Sequence, residues 1–128
     1  MSTLKVNRIE PRTGDTVDIV GFEAPTTPVK AWVNFNGTGV VAIRDEMNVS
    51  SITDNGVGDY TVNFTTAMPD ANYATVALPG LSNGNATAGQ SKSTENRVQT
   101  TTNTSIYTGN ANTGSPLDVP YVAVSVIR

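Results

Sequence analysis

The chain has 128 residues, a formal net charge of −3, and low shares of charged (15 %) and aromatic (6 %) residues. It contains no cysteine and no histidine, which excludes disulfides, thiolate metal sites, cysteine nucleophiles and the usual neutral-pH general base. The acidic balance leaves no basic footprint for nucleic acid, and no apolar run approaches the roughly 20 residues of a membrane-spanning helix.

Composition points to strands. With 19 Thr, 16 Val, 13 Asn and 11 Gly, the sequence favours many short strands joined by turns. The start, Met1-Ser2-Thr3-Leu4-Lys5, has no apolar core of a secretory signal, so synthesis in a cytoplasm is expected. Residues 1–28 form a first region. Leu4, Val6 and Ile9 mark one short strand and Val17 with Ile19 a second, with turn chemistry between them at Glu10–Asp15. Two strands of this length are marginal by themselves. Glu23-Ala24-Pro25-Thr26-Thr27-Pro28 then reads as an extended, rather stiff linker.

Residues 29–128 read as one β domain. Val29–Phe35 alternates, Asn36–Gly39 turns, and strands follow at Val40–Arg44 and Met47–Ile52. Asp54–Asp59 is a glycine-bearing hairpin connection. Tyr60–Thr65 alternates strictly, Met68–Asp70 turns, and Tyr73–Leu78 is a strand closed by Pro79-Gly80. Leu81–Asn96 lacks period and is expected to be a long polar loop. Arg97–Thr108 supplies one bent strand or two short ones, and Gly109–Pro116 a second polar loop. The final strand Tyr121–Ile127 is apolar on both faces, which places it centrally or between a sheet and another subunit. The expected fold is all-β: an antiparallel β-sandwich knob after a short strand-bearing stalk.

Several signatures in order carry a resemblance. They are Ala31-Trp32-Val33-Asn34-Phe35-Asn36-Gly37-Thr38-Gly39, then Ile43-Arg44, Asn48–Gly56, Gly58–Phe64 and Met68–Tyr73. The series resembles the C-terminal domain of bacteriophage tail fibres, as in phages of marine and freshwater bacteria, including cyanophages. The closing Tyr121–Ile127 and the N-terminal Thr3–Ile19 pattern look like the last strand and the pre-knob repeat of such fibres. The resemblance implies a virion structural protein, a short tail fibre or spike displaying a receptor-binding knob for a host-surface glycan. Its partners would be other virion proteins of the tail, baseplate or capsid. A capsid decoration or head-fibre protein, or a baseplate accessory, is the alternative, and a polysaccharide-cleaving spike is a third reading.

A thin Val-rich core, the two-faced closing strand and a stalk too short to fold by itself call for partner chains, and the resemblance supplies three-fold symmetry. A homotrimer is expected, with Leu4, Val6, Ile9, Val17 and Ile19 at its axis. Receptor contacts are expected on Ser82–Asn96 and Gly109–Asp118, whose amides and hydroxyls suit sugar hydroxyls. The candidates are Asn83, Asn85, Gln90, Asn110 and Asn112, with Tyr107 as a stacking face. Trp32 reads as structural. The carboxylates Asp45, Glu46, Asp54, Asp59, Asp70, Glu95 and Asp118 all fall in turn-like or loop-like contexts, so no catalytic pair is assigned and the protein is expected not to be an enzyme. Asp54–Asp59 lacks the closing bidentate Glu of a calcium loop and reads as a plain turn. No metal or cofactor is expected.

Overall fold

The computed structural model describes residues 28–80 and 92–128, the side chains of residues 92–95 excepted. Leu4, Val6, Ile9, Val17 and Ile19 lie outside the described residues, and with them the expected stalk. Among the described residues there are eight strands and no helix. They are β1 (Val29–Asn36), β2 (Ala42–Met47), β3 (Val49–Gly56), β4 (Asp59–Phe64), β5 (Ala74–Gly80), β6 (Lys92–Gln99), β7 (Asn103–Asn110) and β8 (Tyr121–Ile127).

Every pairing is antiparallel. A first sheet has the order β2-β1-β8-β5, and a second the order β3-β4-β7-β6. The two pack face to face as a sandwich. The closing strand is central in the first sheet, between β1 and β5. Its inward Val122, Val124 and Val126 stand opposite Phe35, Val33 and Ala31 of β1. The facing layer is Tyr60, Val62 and Phe64 of β4 with Thr104, Ile106 and Thr108 of β7. Edge-to-face rings join the layers, Phe35 against Tyr60 at 5.2 Å. At one rim Phe64 meets Tyr73 at 5.8 Å. The buried core holds no leucine and one isoleucine among the described residues.

Strand ends depart from the alternation in three places, each with a local cause. The chain changes sheet between β2 and β3, so Met47 ends β2 and does not open the next strand. The corner is Asn48, at φ 55°, a left-handed conformation that asparagine tolerates. Its side chain holds the corner: Nδ2 donates to the Lys30 and Thr66 carbonyls at 3.1 and 3.2 Å, and Oδ1 accepts the Thr66 N–H at 2.7 Å. Pro79-Gly80 continues β5 instead of closing it, because β5 is an edge strand, where proline is tolerated. Residues 92–96, expected in a loop, belong to β6, and Arg97–Thr108 resolves into the β6–β7 hairpin. Its turn is closed by Thr100 Oγ1, which accepts the Thr102 and Asn103 N–H groups at 3.2 and 3.0 Å.

The sheets are tied at the other end by Tyr60. Its ring is fully buried, and its Oη lies 2.7 Å from the Gly37 carbonyl and 2.8 Å from Asp118 Oδ1. That Asp118 oxygen also accepts the Gly58 N–H at 2.7 Å. One knot thus joins the β1–β2 turn, the β3–β4 hairpin and the lead into β8. Glycine is required at both turns. A Cβ on Gly37 would stand 2.6 Å from Tyr60 Oη, and one on Gly58, at φ +68°, would meet the Thr108 carbonyl. Gly39, at φ +62°, has open space around it.

Gly58→Ala is therefore expected to cost roughly 3 kcal/mol, positive φ plus a backbone clash, whereas Gly39→Ala should cost about 1 kcal/mol. Urea unfolding of the two variants checks this. Burial, and then the Asp118 carboxylate, push the Tyr60 hydroxyl far above the ordinary tyrosine range. Burial raises Tyr73 as well. The folded chain thus keeps phenol protons that the unfolded chain loses near pH 10. Stability from this source is complete below about pH 10 and falls as pH rises further. Tyr60→Phe should cost about 1–2 kcal/mol at neutral pH and flatten the alkaline fall, measured by unfolding from pH 8 to 11.

Candidate functional site

The two outer faces of the sandwich differ in chemistry. On the first sheet, Met47, Trp32, Ser125 and Val76 stand in one row across four strands, with Ala123 opposite Leu78, Gly80 opposite Tyr121 and Ala74 opposite Ile127 beside it. Leu78 is 67 % exposed and Val76 48 %. Trp32 is half-buried there. Arg44 lies over the Tyr121 ring, 4.3 Å from its centre, and donates to Asn34 Oδ1 and the Pro120 carbonyl at 3.2 and 2.6 Å.

The second sheet presents hydroxyls and amides. Thr53, Thr61, Ser105 and Val98 form a row across its four strands, and Asp59 stands opposite Tyr107. Thr61 and Ser105 hydroxyls are 3.1 Å apart. Asn63 Nδ2 donates to Ser51 Oγ and Thr53 Oγ1 at 3.1 and 2.9 Å. Asn55 Nδ2 donates to Thr61 Oγ1 at 2.9 Å and Asp59 Oδ1 at 3.3 Å.

An open depression of about 420 Å³ lies on this face, lined by Asn55, Asp59, Arg97, Val98 and Ser105. A β-bulge shapes it. Pairing passes from Asn96 opposite Ile106 directly to Val98 opposite Ser105, leaving Arg97 as the extra residue. Asn96 is exposed at the sheet edge but stands opposite the buried Ile106, and its Oδ1 accepts from the buried Thr104 hydroxyl at 3.3 Å. The bulge lets Arg97 and Val98 both turn outward, a re-aiming that such irregularities commonly provide. Arg97 Nη1 then pairs with Asp59 Oδ2 at 3.0 Å, and its guanidinium lies 5.3 Å from the Tyr107 ring centre. The result is a carboxylate, a guanidinium, an amide, a hydroxyl and an apolar side chain within one shallow site.

Of the sequence candidates, Tyr107 is not among the residues lining the depression, but it stands opposite Asp59 and its ring lies against the Arg97 guanidinium. Asn83, Asn85 and Gln90 lie outside the described residues. Asn110 and Asn112 shape the turn after β7: Asn110 Oδ1 accepts the Asn112 N–H at 2.9 Å, and the Asn110 carbonyl accepts the Gly114 N–H at 2.8 Å. The depression is built largely from strand residues that sequence reasoning did not single out. Asp59 was weighed only as a carboxylate, and the bulge that turns Arg97 and Val98 outward leaves no mark in the alternation.

The side chain of Glu95 lies outside the described residues, and the other candidate carboxylates serve local structure. Asp45, Asp54 and Asp70 accept the N–H groups of Glu46, Gly56 and Asn72, and Glu46 accepts that of Val49. Asp70 also pairs with Arg128 at 2.7 Å. The Asp54–Asp59 segment is a hairpin connection, with Val57-Gly58 between β3 and β4. Among the described residues no group of three or more acidic side chains is placed to hold a metal ion. No family model matches the sequence, and neither a curated protein nor a solved structure matches the chain.

The Arg97 and Asp59 side chains are 52 % and 31 % exposed, so their ion pair adds little to folding. Arg97→Ala should change stability by under about 0.5 kcal/mol in thermal or urea unfolding, which separates the site from the scaffold.

Proposed function

We propose that this chain is a bacteriophage virion structural protein, a short tail fibre or spike whose β-sandwich knob adheres to a glycan on the host surface without cleaving it. The observation that carries the adhesive part is the depression at Asn55, Asp59, Arg97, Val98 and Ser105, flanked by Tyr107. Sugar hydroxyls are met by paired donors and acceptors, and sugar C–H faces by small apolar surfaces. The site is open and shallow, which suits a chain-like polysaccharide more than a small molecule that needs enclosure. The resemblance of Ala31–Tyr73 to fibre knobs supports the virion assignment. Expected contacts from Asn83, Asn85, Gln90, Asn110 and Asn112 would extend the surface from the loops.

Assembly is proposed as a homotrimer, its axis lined in the stalk by Leu4, Val6, Ile9, Val17 and Ile19. The apolar outer face of the first sheet supports association, since a contiguous exposed patch of this kind is unusual on a monomer. Weak sites repeated on one particle gain avidity without stronger single contacts. The same apolar face favours one alternative, a capsid decoration or baseplate accessory protein that docks it on another virion protein.

Light scattering at micromolar concentration should give about 40 kDa, three times 13.4 kDa. Leu78→Glu should lower that mass while leaving the fold intact. Purified protein should adsorb to host cells, and Tyr107→Ala should weaken adsorption by about tenfold per site. A stable monomer would overturn the trimer. Adsorption unaffected by changes at both the depression and the loops would overturn the adhesin in favour of the decoration protein.

A further inference from the structure

We infer that the depression on the second sheet selects a neutral, hydroxyl-rich saccharide and disfavours uronic acids and other anionic sugars; the inference rests on the adhesive reading above. Asp59 and Arg97 are the ionised groups among the five residues lining the site, and they are paired at 3.0 Å. The site is therefore balanced. A sugar carboxylate approaching the guanidinium would come within a few ångströms of the Asp59 carboxylate. At that range the repulsion is on the order of 1 kcal/mol even at the dielectric of water and offsets the attraction of the guanidinium, so an anion gains no net charge pairing for the water it gives up. The chain as a whole carries −3 and adds no long-range attraction for an anion.

The remaining groups fit hydroxyls. Asp59 Oδ1 receives one N–H from Asn55 at 3.3 Å, and Asp59 Oδ2 one from Arg97 at 3.0 Å. Each carboxylate oxygen has room for a second donor, and a sugar hydroxyl is such a donor. Ser105 Oγ can donate or accept, as can Thr61 Oγ1 beside it. Adjacent acceptors with a neighbouring hydroxyl form the complement of a vicinal diol. Val98, 52 % exposed at the edge of the site, offers an apolar surface to ring C–H groups. The bulge makes this possible: with regular alternation Val98 would face the interior, and the outer row would end at Ser105.

The test is binding of the full-length protein to two immobilised polysaccharide sets. One is neutral (mannan, galactan, rhamnan, dextran), and the other rich in uronic acid (alginate, polygalacturonate). Each is run at low and high salt with the parent, Asp59→Asn and Arg97→Gln. Circular dichroism confirms that the variants keep their β signal. The inference expects binding to at least one neutral polymer with little salt dependence, weakened about tenfold by Asp59→Asn and by Arg97→Gln. Binding confined to uronate polymers, strengthened by Asp59→Asn and abolished by salt, would overturn the inference and leave the adhesin standing. Neutral binding indifferent to both substitutions would remove the ligand from this site. Failure to bind any polymer would overturn the inference and the adhesive reading together.

Discussion

The structure depends on how one buried tyrosine is satisfied. Tyr60 places a hydroxyl at the meeting point of both sheets, where an unpaired polar group would cost roughly 1–3 kcal/mol. It reaches the Gly37 carbonyl and Asp118, and Asp118 also takes the Gly58 N–H. Two tight turns and the approach to the closing strand are thereby fixed relative to each other. Gly37 and Gly58 are glycines because a Cβ would run into the Tyr60 hydroxyl at the first and the Thr108 carbonyl at the second. With a core made largely of valine, such a polar knot supplies a uniqueness of packing that valine side chains supply poorly. The Phe35 ring against Tyr60 continues the knot into the first sheet.

Much of this architecture is legible in the sequence, and the rest is hidden for physical reasons. β1, β4 and β8 alternate cleanly because each has one face in the core, and two-sided apolarity leaves Tyr121–Ile127 either central or against another subunit, of which the sheet order shows the central place. The β2–β3 boundary is concealed because a single asparagine, Asn48, turns the corner without glycine or proline. β6 is concealed because it is polar, lies at a sheet edge and carries a bulge, so neither hydrophobicity nor period marks it. The candidate depression shares that fate. Tyr107 was visible as an aromatic near polar loops, but its association with Asn55, Asp59 and Arg97 comes from registers across four strands, which no single segment encodes.

The sandwich separates two kinds of surface. The first sheet carries Trp32, Met47, Val76, Leu78, Tyr121 and Ile127 outward, and the second carries threonine, serine and asparagine with the Arg97–Asp59 ion pair. Period-two alternation makes this possible, since one strand face can fill the core while the other is chosen freely. Under the proposed function the division assigns assembly to one sheet and host contact to the other, so that three copies can associate without covering their ligand sites.

That division is tested most directly by hydroxyl-radical footprinting of the assembled protein, with and without a polysaccharide it binds. The account predicts that Trp32, Met47 and Tyr121 are protected in both conditions, and become reactive when the assembly is dissociated by dilution. Tyr107 should be reactive in the assembled protein and protected when the polysaccharide is added. Ready labelling of Trp32 and Tyr121 in the assembly, or protection of these residues by polysaccharide while Tyr107 stays reactive, would contradict it.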